Sequence, residues 1–420
     1  MQAHYEMLRQ LRNRDAATSL PQRFYGDEAF HRLDLETLFY REWLFVGHDC
    51  ELPRKGSYLT LQVGDYPILV LNDGAGRIRA FHNTCRHRGS RLCRAAKGMS
   101  KKLVCPCPGW TYELDGRLFA ARDPAPGMDH AAHGLKPVHC ESAGGYLFVC
   151  LAPVAPDFAP LRAKLESYFG PHRLRDAKVA HETSIVENGN WKLVWENNRE
   201  CYHCRGNHPE LCRTFPETPT ITGVRGAENN PEIVRHWERC EAAGLPSRFH
   251  LADDGQYRLT RLPLLGQAES FTLSGEVAVR RPLGDLETRQ PGSLLLFHYP
   301  TTWNHVLRDH AVSFRVLPLG PRQTQVTTKW LVHKDAVEGV DYDLESLTHV
   351  WTRTNDQDRR VVEENQIGVA SPAYEPGPYS PVQEDGVIQF VAWYCRFMER
   401  GLLGGAGDER LAGGALGRVA

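Results

Sequence analysis

His203 and His208 stand five residues apart in NNRECYHCRGNHPEL, with Glu200 three residues before the first of them. Two imidazoles and one remote carboxylate, with other positions open, form the facial set that holds Fe(II) where O2 and a substrate must both approach the metal. On a helix Glu200 and His203 share a face, and Gly206-Asn207 can end that helix and return His208 to the same point. The stretch TNDQDRRVVEENQ offers the remote carboxylate, with Asp356, Asp358, Glu363 and Glu364 all in reach of the role. A His-x4-His pair alone is weak, and acids on a polar helix are usually solvated.

A second constellation begins at Cys85-Arg86-His87 and continues at Cys105-Pro106-Cys107-Pro108. A Rieske cluster puts two thiolates on one iron and two imidazoles on the other, in the pattern Cys-x-His followed by Cys-x-x-His. Cys85, His87 and Cys105 fit, but the second histidine position is Pro108, whose side chain has no donor atom. Three outcomes stay open. Cys107 replaces the imidazole, giving a three-thiolate, one-histidine [2Fe–2S] cluster with a potential drawn from about −150 to +300 mV toward about −400 mV. Alternatively Cys85, His87, Cys105 and Cys107 hold a tetrahedral zinc, and redox function is lost. In the third, the site is incomplete. His48 and His82 are the nearest spare imidazoles, each more often a packed or surface residue.

These residues need elements to position them. Residues 44–155 read as short strands: SYLTLQV and YPILVLN flank Gly64-Asp65 as a hairpin, and RIRAFHN, TYEL, RLFAA and GGYLFVCL follow between turns. This predicts a small antiparallel β-domain, closed by the Pro-rich APVAPDFAP. Residues 160–400 mix helices with longer strands: Trp191 to Tyr202 has helical spacing, LLLFHYP, VSFRVLPL and TQVTTKWLV read as an antiparallel sheet, and 345–365 as one long helix. Residues 1–43 form an N-terminal helical segment. The Gly-rich 401–420 is expected to be a disordered tail.

With 420 residues and a formal net charge of −1, the chain suits two domains and carries no electrostatic footprint for nucleic acid or membrane. No apolar run spans a bilayer, and MQAHYEMLRQLRNRD lacks a signal-peptide core. Twelve cysteines in such a chain favour thiolate ligands or buried thiols over disulfides, in a reducing cytoplasm.

The stretches FHNTCRHRGSRLC, GWTYELDGRLFAARD, HGLKPVHC, NWKLVWENNRECYHCRGNHPEL, FHYPTTWNHVL and TNDQDRRVVEENQIGV with SPAYEPGPYSPVQEDGV resemble the α-subunit-type Rieske non-haem iron oxygenases, and within them the bacterial glycine betaine monooxygenase group. The likeness runs from about residue 25 to 397. It implies an α+β chain, a Rieske β-domain followed by a helix-grip (START-like) catalytic domain. It implies His203, His208 and Asp358 as ligands of a mononuclear Fe(II), and Glu200 as the carboxylate bridging electrons between metal centres. It further implies a [2Fe–2S] cluster, a homotrimer, and a separate flavin/iron–sulfur reductase fed by NAD(P)H. The implied reaction uses O2 to hydroxylate an N-methyl group of glycine betaine or a related quaternary amine, with formaldehyde as co-product. Trp303, Tyr374 and Tyr379 lie in matching stretches and are cage candidates for the cation, since quaternary ammonium groups bind ring faces. The alternatives are an impaired or non-catalytic paralogue, because of Pro108, and an oxygenase for a different amine.

Overall fold

The computed structural model describes residues 2–107, 109–216 and 227–412. Pro108 therefore lies outside the described residues. Helices α1 (Gln2–Asn13) and α2 (Glu28–Asp34) lead into ten strands: β1 (Leu44–His48), β2 (Ser57–Val63), β3 (Tyr66–Asn72), β4 (Ile78–His82), β5 (Lys97–Met99), β6 (Leu103–Val104), β7 (Thr111–Tyr112), β8 (Leu118–Ala120), β9 (Pro137–Ala143) and β10 (Tyr146–Cys150). Seven of these form one sheet in the order β1-β10-β9-β4-β3-β2-β5, while β6-β7-β8 make a separate small sheet. The β2–β3 hairpin follows directly from its sequence. Leu59, Leu61 and Val63 alternate inward between half-buried or exposed neighbours, and Gly64 supplies the positive φ that the tight turn requires. At the next such turn Gly116 also has positive φ, and a Cβ there would strike the Phe81 ring.

The second sheet is antiparallel throughout, in the order β11-β17-β16-β15-β14-β13-β12. Its strands are β11 (Ala177–Glu187), β12 (His250–Leu251), β13 (Tyr257–Leu262), β14 (Ser293–His298), β15 (Thr302–Val306), β16 (Ala311–Gly320) and β17 (Gln323–His333). Helices α3 (Ala159–Phe169), α4 (Trp191–Asn198), α5 (Cys204–Asn207), α6 (Pro231–Ala242), α7 (Leu344–Val369) and α8 (Asp385–Ala412) complete the chain. Strands β13 to β15 are buried along their whole length; β14 reads as a near-continuous apolar run, whereas β13 and β15 carry Arg258, Arg261, Asn304 and His305 into the interior.

Helix α7 starts where Asp343 accepts the backbone N–H of Ser346. Leu347, Val350, Trp351 and Thr354 are buried along it, and this i, i+3, i+4, i+7 stripe fixes which face meets the core. Trp351 and Asp358 lie seven residues apart and so share that side of the helix. Two buried contacts hold the N-terminal segment on α4. Asp34 meets the Lys192 ammonium with both side chains fully buried, and also takes Trp191 Nε1 at 3.1 Å and the Tyr394 hydroxyl at 2.6 Å. Glu196 takes the Tyr25 hydroxyl at 2.7 Å.

Three expectations need correction. Helix α4 stops at Asn198, so Glu200 and His203 do not share a helix face; the Glu200 carboxylate takes the N–H groups of Tyr202 and His203 and turns the chain there. Helix α8 runs to Ala412, through part of the expected disordered tail. Leu402 is buried, and glycine weakens a helix by only about 1 kcal/mol per residue. Finally, Cys201 and Cys204 form a disulfide. The turn brings their Cα atoms to 4.9 Å, inside the range a disulfide can bridge. No helix among the described residues is long and apolar enough to cross a membrane.

Candidate metal centre

The turn after α4 and the one-turn α5 present His203 and His208 to α7. His203 Nε2 lies 2.9 Å from His208 Nε2 and 3.3 Å from Asp358 Oδ1, and His208 Nε2 lies 3.0 Å from the same oxygen. Metal bonds of about 2.1 Å at right angles would put neighbouring donors about 3 Å apart. The three donors therefore fit one face of an octahedral ion. Of the rival acids, Asp356 pairs with Arg359 and Glu363 binds Asn188. Glu364 is exposed.

Neighbouring side chains choose the imidazole tautomers. Glu200 Oε1 meets Nδ1 of His203, and Gln357 Oε1 meets Nδ1 of His208 at 2.9 Å. Gln357 gives its amide to Glu210 at 2.9 Å, which turns its oxygen toward the histidine. Each ring thus donates from Nδ1 and offers the Nε2 lone pair to the metal. Asn197 gives its amide to Asp358 Oδ1 at 2.7 Å. Burial opposes charge on His203, but the Asp358 and Glu200 carboxylates outweigh it and hold the ring up at about 10. Burial also opposes charge on Asp358, yet the two imidazoles pull it down to about 2.

The small sheet and its loops carry the second donor set. Cys85 is buried against the Tyr112 hydroxyl at 3.3 Å, and Cys105 receives the Cys107 N–H at 3.4 Å. Burial, with the Cys85 thiol beside it, raises the Cys105 thiol above its ordinary range. His87 stacks on Trp110 with ring centroids 5.1 Å apart. Cys107 is exposed, and Arg88 Nη2 lies 2.7 Å from its sulfur. A tetrahedral zinc would need its sulfur and nitrogen donors within about 4 Å of one another. Three sulfurs and one imidazole are a donor set that suits a two-iron cluster as well as one zinc ion. Neither spare histidine joins it: His48 is buried between Gly145 O and Ser313 Oγ, and His82 sits on β4 beside Tyr66.

The cage candidates divide. Trp303 packs between Trp195 and Phe314, whereas Tyr379 reaches Glu196 at 3.0 Å and Tyr374 binds Ser19 and Leu20 at 2.9 Å. Trp303 instead belongs to a wall of rings that the sequence reading missed. Phe314, Trp351, His305 and Phe271 continue it, with successive centroids 4.5 to 5.4 Å apart. The i, i+7 spacing of Trp351 and Asp358 was the available signal.

Residues 174–400 match the family described as ring hydroxylating alpha subunit (catalytic domain), and residues 42–138 match the Rieske [2Fe-2S] domain. The chain is 52% identical to the glycine betaine monooxygenase oxygenase subunit of Chromohalobacter salexigens, over 92% of this chain and 87% of that protein. It is 47% identical to the protein of the same name from Pseudomonas aeruginosa PAO1, over 92% and 91%. A crystal structure of the quaternary ammonium Rieske monooxygenase CntA with L-carnitine superposes with a TM-score of 0.70, at 20% identity, over 93% of this chain and 98% of that one. That likeness shows a common fold.

Proposed function

Because this chain belongs to the Rieske-type ring-hydroxylating oxygenase α-subunit family, we propose that it is the oxygenase component of a monooxygenase that demethylates glycine betaine or a close quaternary amine. The observation that carries this reading is the near full-length identity of 52% to a glycine betaine monooxygenase oxygenase subunit. The overall reaction balances as N–CH3 plus O2, two electrons and two protons, giving N–CH2OH and water. The carbinolamine then breaks its C–N bond to release formaldehyde and the demethylated amine. A separate flavin/iron–sulfur reductase drawing on NAD(P)H supplies the electrons, and the working unit is a cytoplasmic homotrimer.

His203, His208 and Asp358 would hold the iron, which when bound supplies O2 activation. Held on one face by these three donors, such an ion would keep other positions for O2 and substrate. Asn197, Gln357 and Glu200 hold the three donors in register, as outer partners do in metal sites generally. The ring wall of Trp303, Phe314 and Trp351 receives the trimethylammonium group, whose diffuse charge is attracted to ring faces. Cys85, His87, Cys105 and Cys107 would hold the [2Fe–2S] cluster, which when bound supplies electrons singly. Arg88 supports the place of Cys107, since its guanidinium lies 2.7 Å from the sulfur and would hydrogen-bond it as a ligand. Glu200 carries the electron path toward His203.

A second reading, an impaired paralogue, is favoured by Pro108 alone: where relatives of this pattern supply an imidazole, this chain has none. Both readings meet one experiment. Anaerobically purified protein is analysed for iron and sulfide, then supplied with reductant and O2 and a panel of betaine, carnitine, choline and dimethylglycine. Formaldehyde in step with loss of one methylated amine is expected. A protein that lacks cluster iron and sulfide, or holds zinc in their place, and gives no formaldehyde from any amine would establish the second reading.

A further inference from the structure

The disulfide between Cys201 and Cys204 closes only the stretch Cys201-Tyr202-His203-Cys204, and His203 of the donor triangle lies inside it. The Glu200 carboxylate that turns the chain stands directly before it. Such a small ring ties no distant elements together, and the stabilisation a disulfide gives grows with the loop it closes. What this one acts on is the ligand turn. In the cytoplasmic setting proposed above, a disulfide is more often transient than structural. The pair is also within reach of a reductant, since Cys201 is half-buried and Tyr202 beside it is 66% exposed.

Cys204 is buried beside the metal centre. Its sulfur and one ring nitrogen each of His203 and His208 all lie within 4.8 Å of one another. A tetrahedral zinc, with bonds of about 2.3 Å to sulfur and about 2.05 Å to nitrogen, places such donors about 3.6 Å apart. The disulfide pins the sulfur and occupies it. A free thiol can turn about its Cα–Cβ bond, and a shift of about 1 Å would bring it to that spacing. Two imidazoles, the Asp358 carboxylate and a thiolate are then four donors that suit zinc. Without the sulfur, the facial set of two imidazoles and one carboxylate suits Fe(II).

We propose that Cys201 and Cys204 are a redox-active pair whose state selects the metal at His203, His208 and Asp358: the disulfide leaves an Fe(II) site, and the dithiol adds Cys204 as a ligand and turns the preference to Zn(II). Reduction breaks the Sγ–Sγ bond, takes up two electrons and two protons and leaves two thiols, while a dithiol donor becomes its own disulfide. When zinc binds, the Cys204 thiol gives its proton to solvent. The inference rests on reading the donor triangle as a metal centre.

The test uses the full-length, metal-free protein under anaerobic conditions, oxidised with glutathione disulfide or reduced with dithiothreitol that is then removed. Alkylation and peptide mass spectrometry read the state of the pair. Fe(II) binding is titrated against a chelator with and without Zn(II), so that zinc is read by its competition with iron. Zinc is expected to compete at least about tenfold more strongly in the reduced protein, because a thiolate donor favours it. The two single variants should part in opposite directions. Cys201→Ser leaves Cys204 as a free thiol and should show the zinc preference without reductant, whereas Cys204→Ser should keep the iron preference in either medium. Cys85, Cys105 and Cys107 are the same in every sample, so a difference between the variants belongs to this turn. Equal zinc competition in the two states of wild type, or a difference that persists in Cys204→Ser, overturns the proposal. A disulfide that dithiothreitol cannot open in the folded protein overturns it as well. Oxidised protein that binds no Fe(II) removes the metal-centre reading itself, an outcome distinct from iron binding with an unchanged zinc preference.

Discussion

Asn197 gives its side-chain amide to Asp358 Oδ1 at 2.7 Å, across 161 residues of sequence. The same oxygen faces both histidines. One hydrogen bond therefore joins α4 to α7 at the atom that completes the donor triangle, and it fixes which carboxylate oxygen is turned toward the metal. Asn197→Ala should weaken Fe(II) binding by about 10- to 100-fold, the usual cost of losing such a partner. Fe(II) titration against a competing chelator checks it; an unchanged affinity would remove Asn197 from the site.

Cys107 is the second test. If it is a cluster ligand, Cys107→Ser loses labile sulfide, and Pro108→His moves the midpoint potential upward, from the region near −400 mV toward the Rieske range of about −150 to +300 mV. EPR and redox titration read both changes. A cluster that keeps its signal in Cys107→Ser would show that the thiol is only a neighbour.

Glu196 should make stability depend on pH. Burial drives its carboxyl up from 4.5 to about 7, partly offset by the Tyr25 and Tyr379 hydroxyls. A folded-state value above the unfolded one means that the stabilising contribution is complete below about 4.5 and disappears as pH rises through about 7. The span is worth about 3 kcal/mol. Glu196→Gln should flatten urea-unfolding stability between pH 5 and pH 8 relative to wild type. Parallel pH profiles for the two proteins would sink this account.

Lys192 and Asp34 form an ion pair with no solvent exposure on either side chain. Lys192→Met leaves a buried carboxylate uncompensated and should cost about 3–5 kcal/mol in denaturant unfolding. The double change Lys192→Met/Asp34→Asn should recover most of that loss, because the uncompensated charge is gone. If the double variant is as unstable as the single one, packing rather than charge explains the pair.

Much of this molecule was legible from residue order. Strand alternation and a glycine turn specified the β2–β3 hairpin, and the periodic apolar stripe specified α7, because both patterns are local and repeat at the period of their element. The long quoted motifs identified the family. Sequence could not say that α4 ends at Asn198, since the break depends on a Glu200 carboxylate capturing two backbone N–H groups. Nor could it collect Trp303, Phe314 and Trp351, which lie on three elements and look like ordinary core in each. The four acids between Asp356 and Glu364 are equivalent as a list of types. Only the packing of α7 against α4 turns Asp358 to the histidines and leaves Asp356 to Arg359, because helix rotation is set by which side chains the core will accept.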